Sequence, residues 1–284
     1  MVQSPPRRGV GDFAEPVILK VLEQPVRGHR GNPAGPLWQA RPETANRLRG
    51  RIENVLDWAK ARGARAGDNP ASWDVIGNVI PARLDISAVE HFPALPYAEI
   101  PEFMAQLRAR KGGVARALEF TVICAVRTGD TVGCRWSEID LAGKVWTVPA
   151  GRAKTRKEFR VPLSDRTIEI LKSLPRDNGD VVFSGPRRLG LHATAMNVFL
   201  KRVMGRADLT VHGFRSSFRD FCGERTNYAH DVAEAALSHI KGKVERAYQR
   251  GDLFNKRRRL MADWARYCAS PPKKATADVV PIRK

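Results

Sequence analysis

The chain has 284 residues and a mass of 31.6 kDa, long enough to bury one large core or two smaller ones without covalent staples. Its 49 Lys and Arg against 30 Asp and Glu give a formal charge of +19 and a pI near 10.4, on a composition that is 43% hydrophobic. That balance excludes a disordered polycation and makes a polyanion the expected partner of a folded protein. Cys124, Cys134, Cys222 and Cys268 stand singly among hydrophobic residues, in none of the paired spacings of a disulfide framework or zinc knuckle. Neither a metal nor a cofactor is expected. The N-terminal MVQSPPRRGVGDF lacks the apolar core of a signal peptide, and no run of about 18 apolar residues follows. The expectation is a cytoplasmic, nucleoid-associated protein with no membrane partner, and nucleic acid as the polyanion.

Residues 1–16 are polar and proline-rich, expected as a disordered tail. Val17, Ile18, Leu19, Val21 and Leu22 form one apolar element, a helix of two turns, and the Pro/Gly-rich run 25–43 reads as loop. From Thr44 as N-cap, Leu48, Ile52, Val55, Leu56 and Ala59 recur at helical spacing until Gly63 ends the pattern. Arg47, Arg49, Arg51, Lys60 and Arg62 occupy its other faces, open to reading as a solvated surface or as a phosphate-facing stripe. Trp73, Val75, Ile76, Val79 and Ile80 form a short helix that closes a small helical domain over 17–82, and 83–96 reads as linker.

A second domain is expected over 97–270, with a basic tail at 271–284. It opens with helices at 97–110 and 114–128, split by Gly112 and Gly113; the second is apolar almost all round and belongs in a core. The period then changes. Lys144-Val-Trp-Thr-Val-Pro and Phe159-Arg-Val-Pro-Leu read as strands joined by 150–158, a hairpin whose tip carries Arg152, Lys154, Arg156 and Lys157. Ser164 caps a further helix, Val181-Val-Phe is a short third strand, and 193–267 reads as helices. The fold class is mainly α with a small antiparallel β-sheet.

Chemistry concentrates in Val211-His-Gly-Phe-Arg-Ser-Ser-Phe-Arg-Asp-Phe, where His212 and Arg215 share a helix face opposite Phe214, Phe218 and Phe221. An arginine fork matches two phosphate oxygens, and a histidine beside it exchanges a proton near neutrality. Alone, the pair is better read as a surface histidine and a salt-bridging arginine. In addition, Arg127 follows the buried helix and precedes Thr128-Gly129-Asp130, Lys154 sits on the hairpin tip, and His239 precedes Tyr248 by nine residues.

This order resembles the tyrosine recombinases, in particular prophage-type integrases. The similarity is carried by ALEFTVICAVRTGDTVGCRWSEIDL, VWTVPAGRAKTRKEFRVPLS, HGFRSSFRDF, EAALSHIKGKVERAYQRGDLF and KRRRLMADWARYC, and it runs from about Leu95 to Cys268. The resemblance implies a tyrosine recombinase catalytic domain preceded by a partial helical core-binding domain, because only the later part of that unit is recognisable. It makes Arg127 and Arg215 the phosphate-clamping arginines, His212 and His239 the flanking hydrogen-bonding or proton-transfer residues, Lys154 the general acid and Tyr248 the nucleophile. Asp130 stands where the family usually has Glu, as a carboxylate expected to orient the Arg127 guanidinium. The proton path from Tyr248 stays open between Lys154 and a histidine.

By the same resemblance the chain is an N-terminally shortened integrase that cleaves and rejoins DNA through a 3′-phosphotyrosine, or a decayed remnant that only binds DNA. Its implied partners are double-stranded attachment-site DNA, three further copies in a homo-tetramer on synapsed DNA, and an excisionase or host DNA-bending protein. Other chemistries find no motif: H-E-x-x-H, a P-loop, G-x-G-x-x-G after a strand and G-x-S-x-G are all absent from the sequence.

Overall fold

A computed structural model describes residues 14–28, 33–80, 93–176, 179–185, 190–239 and 251–271. The chain divides into two compact units, one within 1–91 and the other within 92–284. No described helix is long and apolar enough to cross a membrane. The residues of the expected N-terminal tail before Ala14, most of the expected linker and nearly all of the basic tail lie outside the described residues.

In the first unit, α1 (Glu15–Leu22) is followed by a two-residue ladder of β1 (Pro25–Val26) with β2 (Gly35–Pro36), then α2 (Leu37–Ala40), α3 (Pro42–Ala61) and α4 (Trp73–Ile76). The described parts of the run 25–43 are therefore more ordered than its composition suggests. The long helix begins at Pro42, whose fixed φ suits a first helical position, with Arg41 rather than Thr44 as N-cap. It ends as expected: Gly63 adopts φ +71°, and the Ala64 amide donates back to Ala59. Ile18, Leu22, Trp38, Ala45, Leu56 and Ile76 form its core. Of the five cations on α3, Arg49 is buried, bonded to Glu53 at 2.9 Å and to the Ala71 carbonyl at 2.5 Å, under the Trp73 ring; the other four are exposed.

The second unit is built around α6 (Gly113–Cys124), flanked by α5 (Ile100–Arg108), α8 (Asp165–Ser173), α9 (Ala195–Arg202) and α12 (Phe254–Ala269). Every residue of 117–126 is buried. The largely apolar sequence of this helix thus has a direct cause, core on all sides. Its one carboxylate, Glu119, is fully buried and held by Arg116 at 2.6 Å, Arg166 at 2.8 Å and Arg108 at 3.4 Å, which ties α5, α6 and α8 together. The Trp264 indole on α12 donates to the Val122 carbonyl at 3.0 Å.

Strands β3 (Ile139–Asp140), β4 (Val145–Val148) and β5 (Phe159–Pro162) form an antiparallel sheet in that order, with Trp146 opposite Val161. Two expectations are corrected here. The third strand is Ile139–Asp140, and Val181-Val-Phe makes only an isolated bridge, Val181 to Arg135. Backbone bonds from Trp136 to the Asp180 carbonyl and from Val182 to the Cys134 carbonyl fasten that segment to the loop before the sheet. The helix expected over 114–128 stops at Cys124, because Ala125 turns left-handed at φ +51°, and a separate short α7 (Thr128–Val132) begins after Arg127. Ser164 caps α8 as expected, accepting from the Thr167 amide.

Helices α10 (Gly213–Arg225) and α11 (His230–Ala236) complete the unit. The start of α10 is pressed against the chain at 93–95: a Cβ on Gly213 would overlap the Pro93 carbonyl oxygen and come within 3.0 Å of Ala94 Cα. Both neighbours are backbone and cannot swing aside. Gly213→Ala is expected to destabilise the second unit by about 1–3 kcal/mol, lowering its unfolding midpoint by roughly 2–4 °C per kcal/mol. Calorimetry that finds the wild-type midpoint would contradict this packing.

Candidate active site

Two positively charged guanidiniums meet where the chain reversals that end α6 and α11 converge. Arg215, on the first turn of α10, is 6% exposed. Its Nη1 donates to the Ala125 carbonyl at 2.5 Å and its Nη2 to the Leu237 carbonyl at 2.6 Å. Arg127 leaves α6 in extended conformation, φ −76° and ψ 148°, as N-cap of α7, and its Nη2 donates to the Ser238 carbonyl at 3.0 Å. Ala125 caps the C-terminus of α6, while Leu237 and Ser238 follow the C-terminus of α11. Helix C-terminal carbonyls carry partial negative charge and lack partners within their own helices, so they suit buried cations. Burial, then the nearby Arg127 charge, lowers the Arg215 pKa to about 10, which still leaves it protonated at neutral pH.

The turn after α11 has a defined geometry. Ser238 is left-handed at φ +50°, its amide donates to Ala235 and the His239 amide donates to Glu234, the paired bonds of a Schellman motif. This reversal brings the His239 ring to the arginines: Nε2 lies 3.2 Å from Arg215 Nη2, and Nδ1 lies 2.7 Å from Glu234 Oε2. Glu234 also accepts from Arg219 Nε at 2.7 Å. Burial opposes its ionisation, but the hydrogen bonds from His239 and Arg219 outweigh that and hold its carboxyl below the ordinary value.

His212 is the N-cap of α10. Its pKa is lowered first by burial, then by the positive charges of Arg215, Arg127 and Lys154 and by His239. That set of influences places the hairpin lysine in the same electrostatic field as the arginines and histidines. Lys154 itself is exposed on the loop between β4 and β5. Arg152, two residues earlier, turns inward instead, with both terminal nitrogens on Glu138 at 2.7 and 2.5 Å. The basic tip is therefore Lys154, Arg156 and Lys157, all exposed.

Asp130 acts differently from the expected guanidinium partner. Its Oδ2 accepts from the backbone amide of Arg127 at 3.3 Å, which fixes the first turn of α7 and the chain direction at Arg127. Burial raises its pKa, against the opposing charges of Arg127, Arg215 and Arg152. Tyr248, the expected nucleophile, lies outside the described residues, as does all of 240–250. The chain resumes in a tight anchor: Asp252 takes a bidentate bond from Arg160 of β5 and a 2.9 Å bond from Arg257, which is 1% exposed.

Arg127, Arg215, His212 and His239 thus come together, with Lys154 close enough to act on His212 electrostatically. Sequence reasoning missed Glu234 and Arg219, and the carbonyls of Ala125, Leu237 and Ser238. Glu234 sits five residues before His239, a spacing that becomes a contact only through the turn at Ser238, and backbone acceptors leave no trace in residue type. A cavity of about 850 Å³ lies between the base of the hairpin and α12, lined in part by Lys144, Arg166, Arg258 and Met261, and contains none of these residues.

Residues 94–250 match the Phage integrase family, and residues 8–75 the Phage integrase central domain. The chain is 29% identical to prophage integrase IntA of Escherichia coli K12 over 78% of its own length and 54% of the relative's. It is 30% identical to the integrase of Enterobacteria phage P4, over 79% and 55% respectively, so it spans just over half the length of these relatives. Among solved structures, a lambda integrase (75–356) dimer bound to a COC′ core site superposes with a TM-score of 0.58 at 16% identity, over 84% of each chain. A lambda integrase tetramer bound to a Holliday junction gives 0.56 at 17% identity, over 82% of this chain and 66% of that one. With the first match alone extending over more than half of the sequence, the chain is a member of the phage integrase family, and its fold is that of the tyrosine recombinases.

Proposed function

We propose that the protein is a site-specific DNA recombinase that breaks and rejoins strands through a 3′-phosphotyrosine intermediate. The observation that carries this reading is the joint seat of Arg127, Arg215 and His239 on the carbonyls and turn that end α6 and α11. A scissile phosphodiester repels a nucleophile through its own negative charge, and further charge builds on its non-bridging oxygens as the bond forms. Donors fixed before the substrate arrives stabilise that charge without reorganising. Two guanidiniums and two imidazoles so placed suit a phosphate with five ligands at phosphorus.

In this reading the Tyr248 oxygen attacks phosphorus, the 5′ oxygen leaves with a proton from Lys154, and the phosphotyrosine bond retains the energy for rejoining a strand. Burial and cationic neighbours favour the neutral form of His212, which makes it the base offered for the phenol proton. The exposed Lys154, Arg156 and Lys157 lie where the tip can follow a DNA backbone. The relatives' solved complexes with a core site and with a Holliday junction support double-stranded attachment-site DNA as substrate and a homo-tetramer as the working assembly. An excisionase or host DNA-bending partner is part of the same proposal.

On a nicked suicide duplex, wild-type protein is expected to accumulate a covalent adduct and Tyr248→Phe none, at unchanged DNA affinity. Arg127→Lys or Arg215→Lys should slow adduct formation by about 10²–10³-fold, the usual effect of losing one preorganised donor. A wild-type chain that binds but never forms adduct would leave only the DNA-binding remnant. Duplex affinity itself should fall steeply between about 50 and 200 mM salt through counterion release.

The His212 shift gives a pH dependence with a definite sign. In the DNA-free protein the folded-state pKa lies below the unfolded value of about 6.5. His212 therefore costs stability progressively as pH falls through that value, because the unfolded chain binds the proton more readily. A phosphodiester placed among the same cations supplies the opposite charge and should raise the pKa, so DNA binding should take up a proton below neutrality. Histidine NMR titration with and without duplex checks both statements; a His212 resonance that titrates identically in the two states would contradict the second.

A further inference from the structure

We propose that Glu234 is the positioning residue of His239, fixing which ring nitrogen carries hydrogen and supplying the counter-charge for the imidazolium. The inference rests on the reading that His239 hydrogen-bonds the reacting phosphate. Its geometric basis is a continuous chain of hydrogen bonds, Arg219 to Glu234 to His239 to Arg215, at 2.7, 2.7 and 3.2 Å. A guanidinium only donates, so beside Arg215 Nη2 the His239 Nε2 is an acceptor. Nδ1 then bears the hydrogen and gives it to Glu234 Oε2. The neutral ring has one permitted tautomer.

When DNA enters, Nε2 can take a proton from solvent and donate it in a hydrogen bond to the phosphate, while Arg215 stays on its two carbonyls. The resulting imidazolium lies beside Arg215, and the carboxylate behind Nδ1 offsets that repulsion. Glu234 is itself held from three directions: Arg219 on α10, His230 on its own helix at 3.9 Å, and the His239 ring on the turn. Replacing it with glutamine removes the charge and also breaks the hydrogen-bond pattern. Arg219 and His239 Nδ1 both need an acceptor, and an amide has a single oxygen to offer.

Single-turnover cleavage of a suicide duplex, with DNA affinity measured in parallel, tests this by a double-mutant cycle. Glu234→Gln is expected to slow cleavage 10- to 100-fold with affinity within twofold of wild type. In a His239→Ala background the same change should have no further effect, because Glu234 acts only through that ring. Slowing of equal size in both backgrounds would show a structural role and overturn the proposal, as would a Glu234→Gln that cleaves at the wild-type rate. Cleavage at the wild-type rate by His239→Ala would remove the site assignment, and this inference with it. Nitrogen-15 histidine spectra of the unmutated, DNA-free chain provide a test independent of any variant: the neutral His239 ring should be protonated at Nδ1, and an Nε2–H tautomer would overturn the proposal.

Discussion

Two like charges must be held side by side, partly out of water, before any substrate is present to pair with them. Arg127 and Arg215 meet that constraint through three main-chain oxygens, from Ala125, Leu237 and Ser238. A helix terminus contributes about 0.3–1 kcal/mol toward a nearby cation, more where the site is partly buried. Acidic side chains in the same positions would neutralise the arginines more completely and would then compete with a phosphate. Carbonyls hold the guanidiniums in place and leave their net charge available. The break in α6, the short α7 and the turn after α11 all serve the placement of these acceptors and donors.

The remaining arginines divide by what they touch. Arg108, Arg116 and Arg166 are committed to Glu119 in the core, Arg152 to Glu138, Arg219 to Glu234, and Arg257 to Asp252. Arg108, Arg166, Arg152 and Arg219 link separate elements in this way, and three of the arginines share the one Glu119 carboxylate. Breaking such a partly or fully buried pair leaves an uncompensated charge, which makes these positions far less tolerant than the exposed cations of the hairpin tip or of α3. Arg127 and Arg215 rest instead on backbone carbonyls. A chain with many arginines can thus use one residue type for two incompatible tasks, distinguished only by local partners.

Much of this was legible in the sequence, for physical reasons that differ from element to element. The mostly apolar run 117–126 marks a core helix, and the Val, Trp, Thr and Phe residues of Val145–Val148 and Phe159–Pro162 mark two strands. The candidate site residues were read from residue types in a familiar order, and of them the structure brings Arg127, Arg215 and His239 into contact with one another or with the same turn. What stayed hidden depends on tertiary partners. Ala125 gives no local sign of a left-handed break, because its conformation is fixed by where its carbonyl must point. The ladder at 25–26 and 35–36 is too short to have a period. Asp130 was read as a side-chain partner, and it serves the backbone of the same arginine instead.

The left-handed residues at Ala125 and Ser238 carry one more consequence. Neither is glycine, and an L-residue in that region costs on the order of 1 kcal/mol or more. Each of these residues nevertheless presents its carbonyl to one of the two arginines, so the guanidinium and the bent backbone are mutually dependent. Glycine at either position would relax the bend and loosen the unfolded chain together, two effects of opposite sign on stability. It would also let the carbonyl wander from its donor. Selection for thermostability at these two positions therefore trades against the placement of the arginines: a chain that melts later can still hold them less firmly.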